Sequence, residues 1–349
     1  MKKMNYAKQI ANLGTETAFA VSAQARSWAD KGNKVYPFHL GDINLKTPQN
    51  IVEAMIKAVG DGKTGYCPSE GILPLREALA HDVGQRRNVV YSPENVAVQP
   101  GGKPTIGKFI AAVMNPGDEV LYPNPGYPIY ESQIEYQRGR AVPYSYIETE
   151  NGFDIDIEKL KASITNKTVA IIYNNYQNPI SAESSKEEME QVADIAISND
   201  LWVLSDEAYF EMIYEGKARS IVEIPNMKER TVILYTFSKK FAMTGWRVGA
   251  SIGPEKIIKI ISKLNINAES CTTHFIQGAM VEALTGDMSG SKEILSKLKN
   301  RRDVAVSGLN AIDGIDISKP RCTFYLFPNV TSIMRKKGFS TIDQLQIGA

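Results

Sequence analysis

The chain has 349 residues, enough for two domains at about 150 residues each, and its 43% hydrophobic and 23% charged side chains are ordinary for a soluble globular protein. A net charge of +1 excludes a global field that would draw it to nucleic acid or to an anionic membrane. Three cysteines, Cys67, Cys271 and Cys322, without a C-x-x-C spacing argue against a disulfide framework or a zinc ribbon and fit a reducing cytoplasm; no signal-peptide core and no run of about 18 apolar residues is present.

In chain order, Thr47-Pro48 opens a helix, with Thr47 as N-cap, Pro48 at the first helical position, and Ile51 and Met55 on one face. Leu75 and Leu79, then Ile106, Ile110 and Val113, repeat the helical spacing. Seven short runs read as strands: NVAV from Asn95, EVLY from Glu119, AVPYSY from Ala141, TVAIIY from Thr168, LWVLS from Leu201, TVILYT from Thr231 and RVGASI from Arg247. Several are apolar nearly throughout, as strands covered on both faces must be. Strands separated by helical stretches predict an α/β domain with a mostly parallel seven-stranded sheet and helices on both faces. From Glu255 the pattern is helical: EKIIKIISKL, a helix around His274 to Leu284, and a long one around Lys292 to Leu309. The expected division is a large domain over 46–285 and a smaller α+β domain from 1–45 and 286–349.

Ligands of open parallel sheets bind beyond the carboxyl ends of the strands. Five strands end there in distinctive groups: Gly101-Gly102-Lys103, Pro125-Gly126-Tyr127, Asn174 to Asn178-Pro179, Asp206-Glu207-Ala208-Tyr209, and Ser238-Lys239. In TFSKKFAMTGWRVG, Thr236 to Gly249, Lys239 directly follows a buried strand and Arg247 stands eight residues on. Partial desolvation favours the neutral amine, a nucleophile toward an aldehyde, and the planar guanidinium suits phosphate oxygens. Together they point to a phosphorylated aldehyde cofactor.

From GDINLKTP at Gly41 to FYLF at Phe324–Phe327 the chain resembles the class I and II aminotransferases, fold type I enzymes that use pyridoxal 5'-phosphate. The S-K-x-[FY]-x-M-x-G-x-R-x-G string is its most specific part. The resemblance implies that Lys239 forms the Schiff base and moves the proton, with Lys240 one place late, and that Asp206 holds the pyridinium nitrogen protonated. Tyr209 and Asn178 match the partners of the ring oxygen, and Tyr127 the aromatic that stacks on the ring. Gly101, Gly102 and Lys103 match the phosphate turn, with Thr236, Ser238 and Arg247 as further phosphate ligands. Gly41 matches a backbone contact near the substrate carboxylate, and Asn178 also lies on the substrate side. Tyr66, in GYCPSEG, matches a tyrosine that reaches the phosphate of the neighbouring subunit, which implies a homodimer with shared sites. The implied reaction moves an amino group from an L-amino acid, with aspartate the candidate donor, to a 2-oxo acid.

Each of these residues alone has an ordinary reading: a solvated lysine, a surface ion pair for Arg247, a capping aspartate, packing tyrosines, common turns at Gly101-Gly102 and Asn178-Pro179. Their order, each after its own strand, lifts the set. The histidines, His39, His81 and His274, lack metal-ligand spacing, and no G-x-G-x-x-G follows a strand. The family's second arginine, which grips the substrate α-carboxylate, is expected some tens of residues past FYLF. Only about two dozen residues follow Tyr325, and Arg335 is too close, so the resemblance implies a truncated or reduced small domain. GDINLKTP lacks the usual proline and acidic residue, and NPIS replaces Asn-Pro-Thr-Gly. The same residues would also serve a C–S lyase or an oxidative or cyclising enzyme of this fold, or a non-catalytic module that binds the cofactor.

Overall fold

The computed structural model describes residues 4–14, 17–38, 41–342 and 344, so His39 and the terminal 345–349 lie outside the described residues. Its strands are β1 (Val96–Gln99), β2 (Glu119–Pro123), β3 (Arg140–Tyr144), β4 (Tyr146–Thr149), β5 (Gly152–Ile155), β6 (Thr168–Tyr173), β7 (Trp202–Asp206), β8 (Thr231–Thr236) and β9 (Gly249–Ile252). The helices are α1 (Thr17–Asp30), α2 (Gln49–Gly60), α3 (Leu73–Arg86), α4 (Lys103–Val113), α5 (Ile129–Tyr136), α6 (Ile157–Ala162), α7 (Lys186–Ser198), α8 (Glu255–Ala268), α9 (His274–Thr285), α10 (Ser289–Asn310) and α11 (Thr331–Lys337).

The seven strand candidates form one sheet in the order β1-β9-β8-β7-β6-β2-β3. Neighbours pair in parallel except around β9, which is antiparallel to both β1 and β8. Six strands therefore run one way, and the start of β9 lies at the edge where those six end.

Side chains alternate across the sheet, as period-two geometry requires. On β8, Ile233 and Tyr235 join Leu75, Leu79 and Met280 of α3 and α9, whereas Val232 and Leu234 join Phe109, Ile134 and Ile261 of α4, α5 and α8. On β6 and β7, Ile171, Tyr173 and Val203 meet Met189 and Val192 of α7. Helices thus cover both faces, which is why the strands are apolar throughout. A further cluster joins Ile294 and Leu298 of α10 to Tyr209, Phe210, Met212 and Cys322.

Three local expectations are corrected. The first concerns Thr47, which does not cap α2: Pro48 holds the cap position without a side-chain bond, and Thr47 Oγ1 donates instead to the Ala242 carbonyl at 3.0 Å. That long-range bond ties the approach to α2 to the loop after Lys239. Second, AVPYSY is two strands, because Ser145 separates β3 from the β4–β5 hairpin, whose turn spans Thr149 to Gly152. The third is RVGASI, which becomes strand only at Gly249, since Arg247 has left-handed backbone (φ 57°). Arg335 is exposed in the last turn of α11.

Candidate active site

The turn after β1 and the start of β9 are built around bare backbone. Gly249 pairs with both Gln99 and Thr236, and a Cβ there would lie 2.8 Å from the Gly101 carbonyl carbon and 2.9 Å from the Gly102 nitrogen. Gly101 has φ 100°, open to glycine but strained for other residues, and a Cβ on it would stand 2.4 Å from Arg247 Nη2. A Cβ on Gly102 would meet Leu234 Cδ2 at 2.7 Å. The guanidinium therefore lies against the turn that opens α4, and its Nη1 donates to the Thr244 carbonyl at 2.8 Å. Thr236 Oγ1 donates to Ser238 Oγ at 2.9 Å, and Ser238 N–H donates back to Thr236 Oγ1 at 3.2 Å. Two hydroxyls, a guanidinium and a helix start thus share one edge of the sheet.

Asp206, the last residue of β7, is buried. Its Oδ2 accepts from Tyr130 Oη at 2.6 Å and its Oδ1 from the Ala208 N–H at 3.1 Å. Burial pushes its pKa up, while Tyr130, Ala208 and the Lys239 charge hold it down. Tyr130 lies edge-on to Tyr127 at 5.7 Å between centroids, and Lys103 Nζ is 5.6 Å from the Tyr127 ring. Asn174 Nδ2 donates to the Asp206 carbonyl at 2.9 Å, and Asn174 Oδ1 accepts the Asn178 N–H at 3.0 Å. Gln177 Nε2 reaches the Pro125 carbonyl at 2.6 Å, joining the turns after β6 and β2.

Lys239 Nζ donates to the Gly41 carbonyl at 3.0 Å and sits 5.7 Å from the Tyr209 ring and 5.2 Å from the Phe324 ring. The Tyr209 and Tyr325 hydroxyls are 2.6 Å apart, and burial followed by the Tyr325 hydroxyl pushes Tyr209 well above the usual phenol range, so it stays protonated. Lys240 turns elsewhere, into an ion pair with Glu211 at 2.8 Å. Asp206, Tyr209 and Lys239 thus sit together, with Gly41 at the lysine amine.

A family model for aminotransferase class I and II matches residues 34–342. The chain belongs to that family. Within it, the chain is 34% identical over 339 residues to a probable aspartate/prephenate aminotransferase of Aquifex aeolicus, covering 95% of this chain and 85% of the relative. It is 35% identical over 344 residues to an aspartate aminotransferase of Sulfolobus acidocaldarius, covering 97% and 85%. Among solved structures it is similar to the Thermus thermophilus aspartate aminotransferase with maleate (TM-score 0.89, 30% identity, 95% of this chain and 86% of that one). It is also similar to the Pyrococcus furiosus alanine aminotransferase (TM-score 0.88, 32% identity, 93% and 84%).

As a member of this family the protein is an aminotransferase that uses pyridoxal phosphate, and the residues present fit that group. The cradle in which Gly101 and Gly102 leave no room for a Cβ offers a phosphate donor set, Asp206 is a buried acceptor for a ring nitrogen, and Lys239 supplies an amine. Tyr66 is 90% exposed. Among the described residues, no cluster of three or more potential metal ligands occurs, and no helix is long and apolar enough to cross a membrane.

Sequence reasoning missed Tyr130, Tyr325 and the pair beneath them. Arg87 Nε contacts Glu207 Oε2 at 2.6 Å with both side chains buried, and Phe210 stacks on the guanidinium at 3.7 Å. Ser205 Oγ donates to Glu207 Oε1 at 2.8 Å, and Ser220 bonds the same oxygen. The signal for Tyr130 was its place three residues after Tyr127, in the turn that opens α5, where its N–H donates to the Tyr127 carbonyl at 3.1 Å.

Proposed function

We propose that this aminotransferase takes its amino group from aspartate and delivers it to a 2-oxo acid, with Lys239 as the group that moves the proton. The observation that carries the assignment of Lys239 is its placement: its amine contacts Gly41 and the Tyr209–Phe324 aromatics, while the alternative, Lys240, is held in an ion pair. The donor rests on the printed names of the relatives in Aquifex and Sulfolobus.

Bound pyridoxal phosphate supplies a protonated ring that accepts the electron pair left when an amino acid loses its Cα proton. Asp206 would keep that ring protonated through its buried carboxylate, which Tyr130 and the Ala208 N–H aim. Tyr209 and Asn178 would hold the ring oxygen, Tyr127 the ring, and Gly101, Gly102, Lys103, Thr236, Ser238 and Arg247 the phosphate. Lys239 Nζ, once freed by the incoming amino acid, would take the Cα proton and deliver it to the cofactor's C4′. Gly41 and Asn178 face the substrate.

The reading extends to a large domain over 46–285 and a small one from 1–45 and 286–349, supported by the packing of α9 on α3 and β8. It also includes a homodimer in which exposed Tyr66 reaches the neighbouring phosphate, and a cytoplasmic location, supported by three free cysteines. Adding aspartate to the holoenzyme is expected to yield oxaloacetate and pyridoxamine phosphate, which 2-oxoglutarate reconverts. Ammonia or thiol release without pyridoxamine phosphate would favour the lyase, and turnover of alanine or tyrosine but not aspartate would overturn the donor.

A further inference from the structure

Cys67 follows exposed Tyr66 but turns inward. Its thiol donates to the Thr272 carbonyl at 3.5 Å, and its Sγ accepts from Gln277 Nε2 at 3.2 Å. Gln277, buried on α9, also donates to the Thr272 carbonyl at 2.8 Å and accepts the Ile72 N–H at 2.9 Å. One side chain thereby clamps the segment leading into α3 against the loop between α8 and α9. That loop carries Cys271, beside Thr272. The Thr272 carbonyl that Cys67 Sγ meets at 3.5 Å belongs to the residue after Cys271, so the two cysteines stand beside one another across the clamp, and burial and the neighbouring Cys271 thiol push Cys67 up to about 11. Both cysteines are free and neither is fully buried.

We propose that Cys67 and Cys271 are an oxidisable pair, closed to a disulfide by small disulfide oxidants and reopened by thiols. The hydrogen bonds and burial of Cys67 disfavour its thiolate, so Cys271 attacks first. With glutathione disulfide, the Cys271 thiolate displaces one glutathione thiolate and forms a mixed disulfide. Cys67, losing its proton, then attacks the Cys271 sulfur and displaces the second glutathione. Two protein thiols lose two electrons and two protons, and glutathione disulfide gains them as two thiols. Cys271 lies outside the helices, between the end of α8 at Ala268 and the start of α9 at His274, so a bond to Cys67 requires neither helix to unwind. Cys322 is a built-in control: it is fully buried and donates to the Ser181 carbonyl at 3.4 Å.

The test is peptide mass mapping of the holoenzyme after incubation with glutathione disulfide, without reduction. The expected result is a cross-linked peptide containing Cys67 and Cys271 from one chain, an intact mass lower by two hydrogens, reversal by dithiothreitol, and an unmodified Cys322. Cys67→Ser is expected to trap glutathione on Cys271, and Cys271→Ser to leave Cys67 unmodified. A wild-type protein that stays reduced, keeps glutathione on Cys271 without the cross-link, or links cysteines of two chains would overturn the proposal.

Discussion

Asp206 is a carboxyl group held where its charge is costly until a cation arrives. Burial raises its pKa despite the opposing effects of Tyr130, the Ala208 N–H and Lys239. A raised carboxyl pKa means the folded chain holds this proton more tightly than the unfolded chain does. The stabilisation is therefore full below the ordinary carboxylate value and is lost as pH rises through the raised one. Asp206→Asn removes that loss, so the cofactor-free variant is expected to melt above wild type at roughly pH 8, with the gap closing toward roughly pH 4. The same change removes a hydrogen bond to a charged ring nitrogen, worth about 1.5–3 kcal/mol, and should weaken cofactor binding about 10- to 100-fold. Calorimetry across pH and absorbance titration check the two halves; an unchanged affinity would place the ring nitrogen elsewhere.

At the scale of elements, the site depends on how close two strand ends approach. Gly101 at φ 100° with Arg247 at its face leaves no room for a side chain. Gly101→Ala is expected to cost roughly 1–3 kcal/mol of stability through backbone strain. It should also displace Arg247 and weaken cofactor binding by about tenfold or more, since about 1.4 kcal/mol is a factor of ten. Thermal melting and cofactor titration measure both; wild-type values would show that the turn does not hold the phosphate. The strands themselves were legible because burial on both faces leaves near-continuous apolar runs, as in TVILYT at β8. The strand-end groups were legible because each follows such a run. The β4–β5 hairpin was not, since its strands are largely half-exposed and lack a clear apolar alternation, although Asn151-Gly152 at its turn is a hairpin signal that went unread. Nor was the role of Thr47, whose bond to Ala242 spans 195 positions and leaves no local trace. Tyr130 went unremarked because only the folded chain brings Asp206, 76 residues away, to its hydroxyl.

The whole molecule raises the question of who completes each site. Tyr66 is 90% exposed in the single chain, while Gly101, Gly102, Thr236, Ser238 and Arg247 collect at one sheet edge. If two chains share sites, Tyr66→Ala and Lys239→Ala proteins, each impaired alone, should complement one another. A hybrid dimer then contains one intact site and one that lacks both groups. Random co-assembly of equal amounts is expected to restore roughly a quarter of wild-type activity, with half the dimers hybrid and one site working in each. Activity of the co-refolded mixture that merely averages the two single variants would show that Tyr66 serves its own chain or none.

The central claim is that one amine at the end of β8 bonds the cofactor. Borohydride reduction of the pyridoxal phosphate-loaded protein, followed by peptide mapping, tests it most directly. The account predicts a single reduced pyridoxyl group on Lys239 and loss of the absorption band in Lys239→Ala. A label on Lys240, which the structure pairs with Glu211, or no label at all with the cofactor in excess, would contradict it.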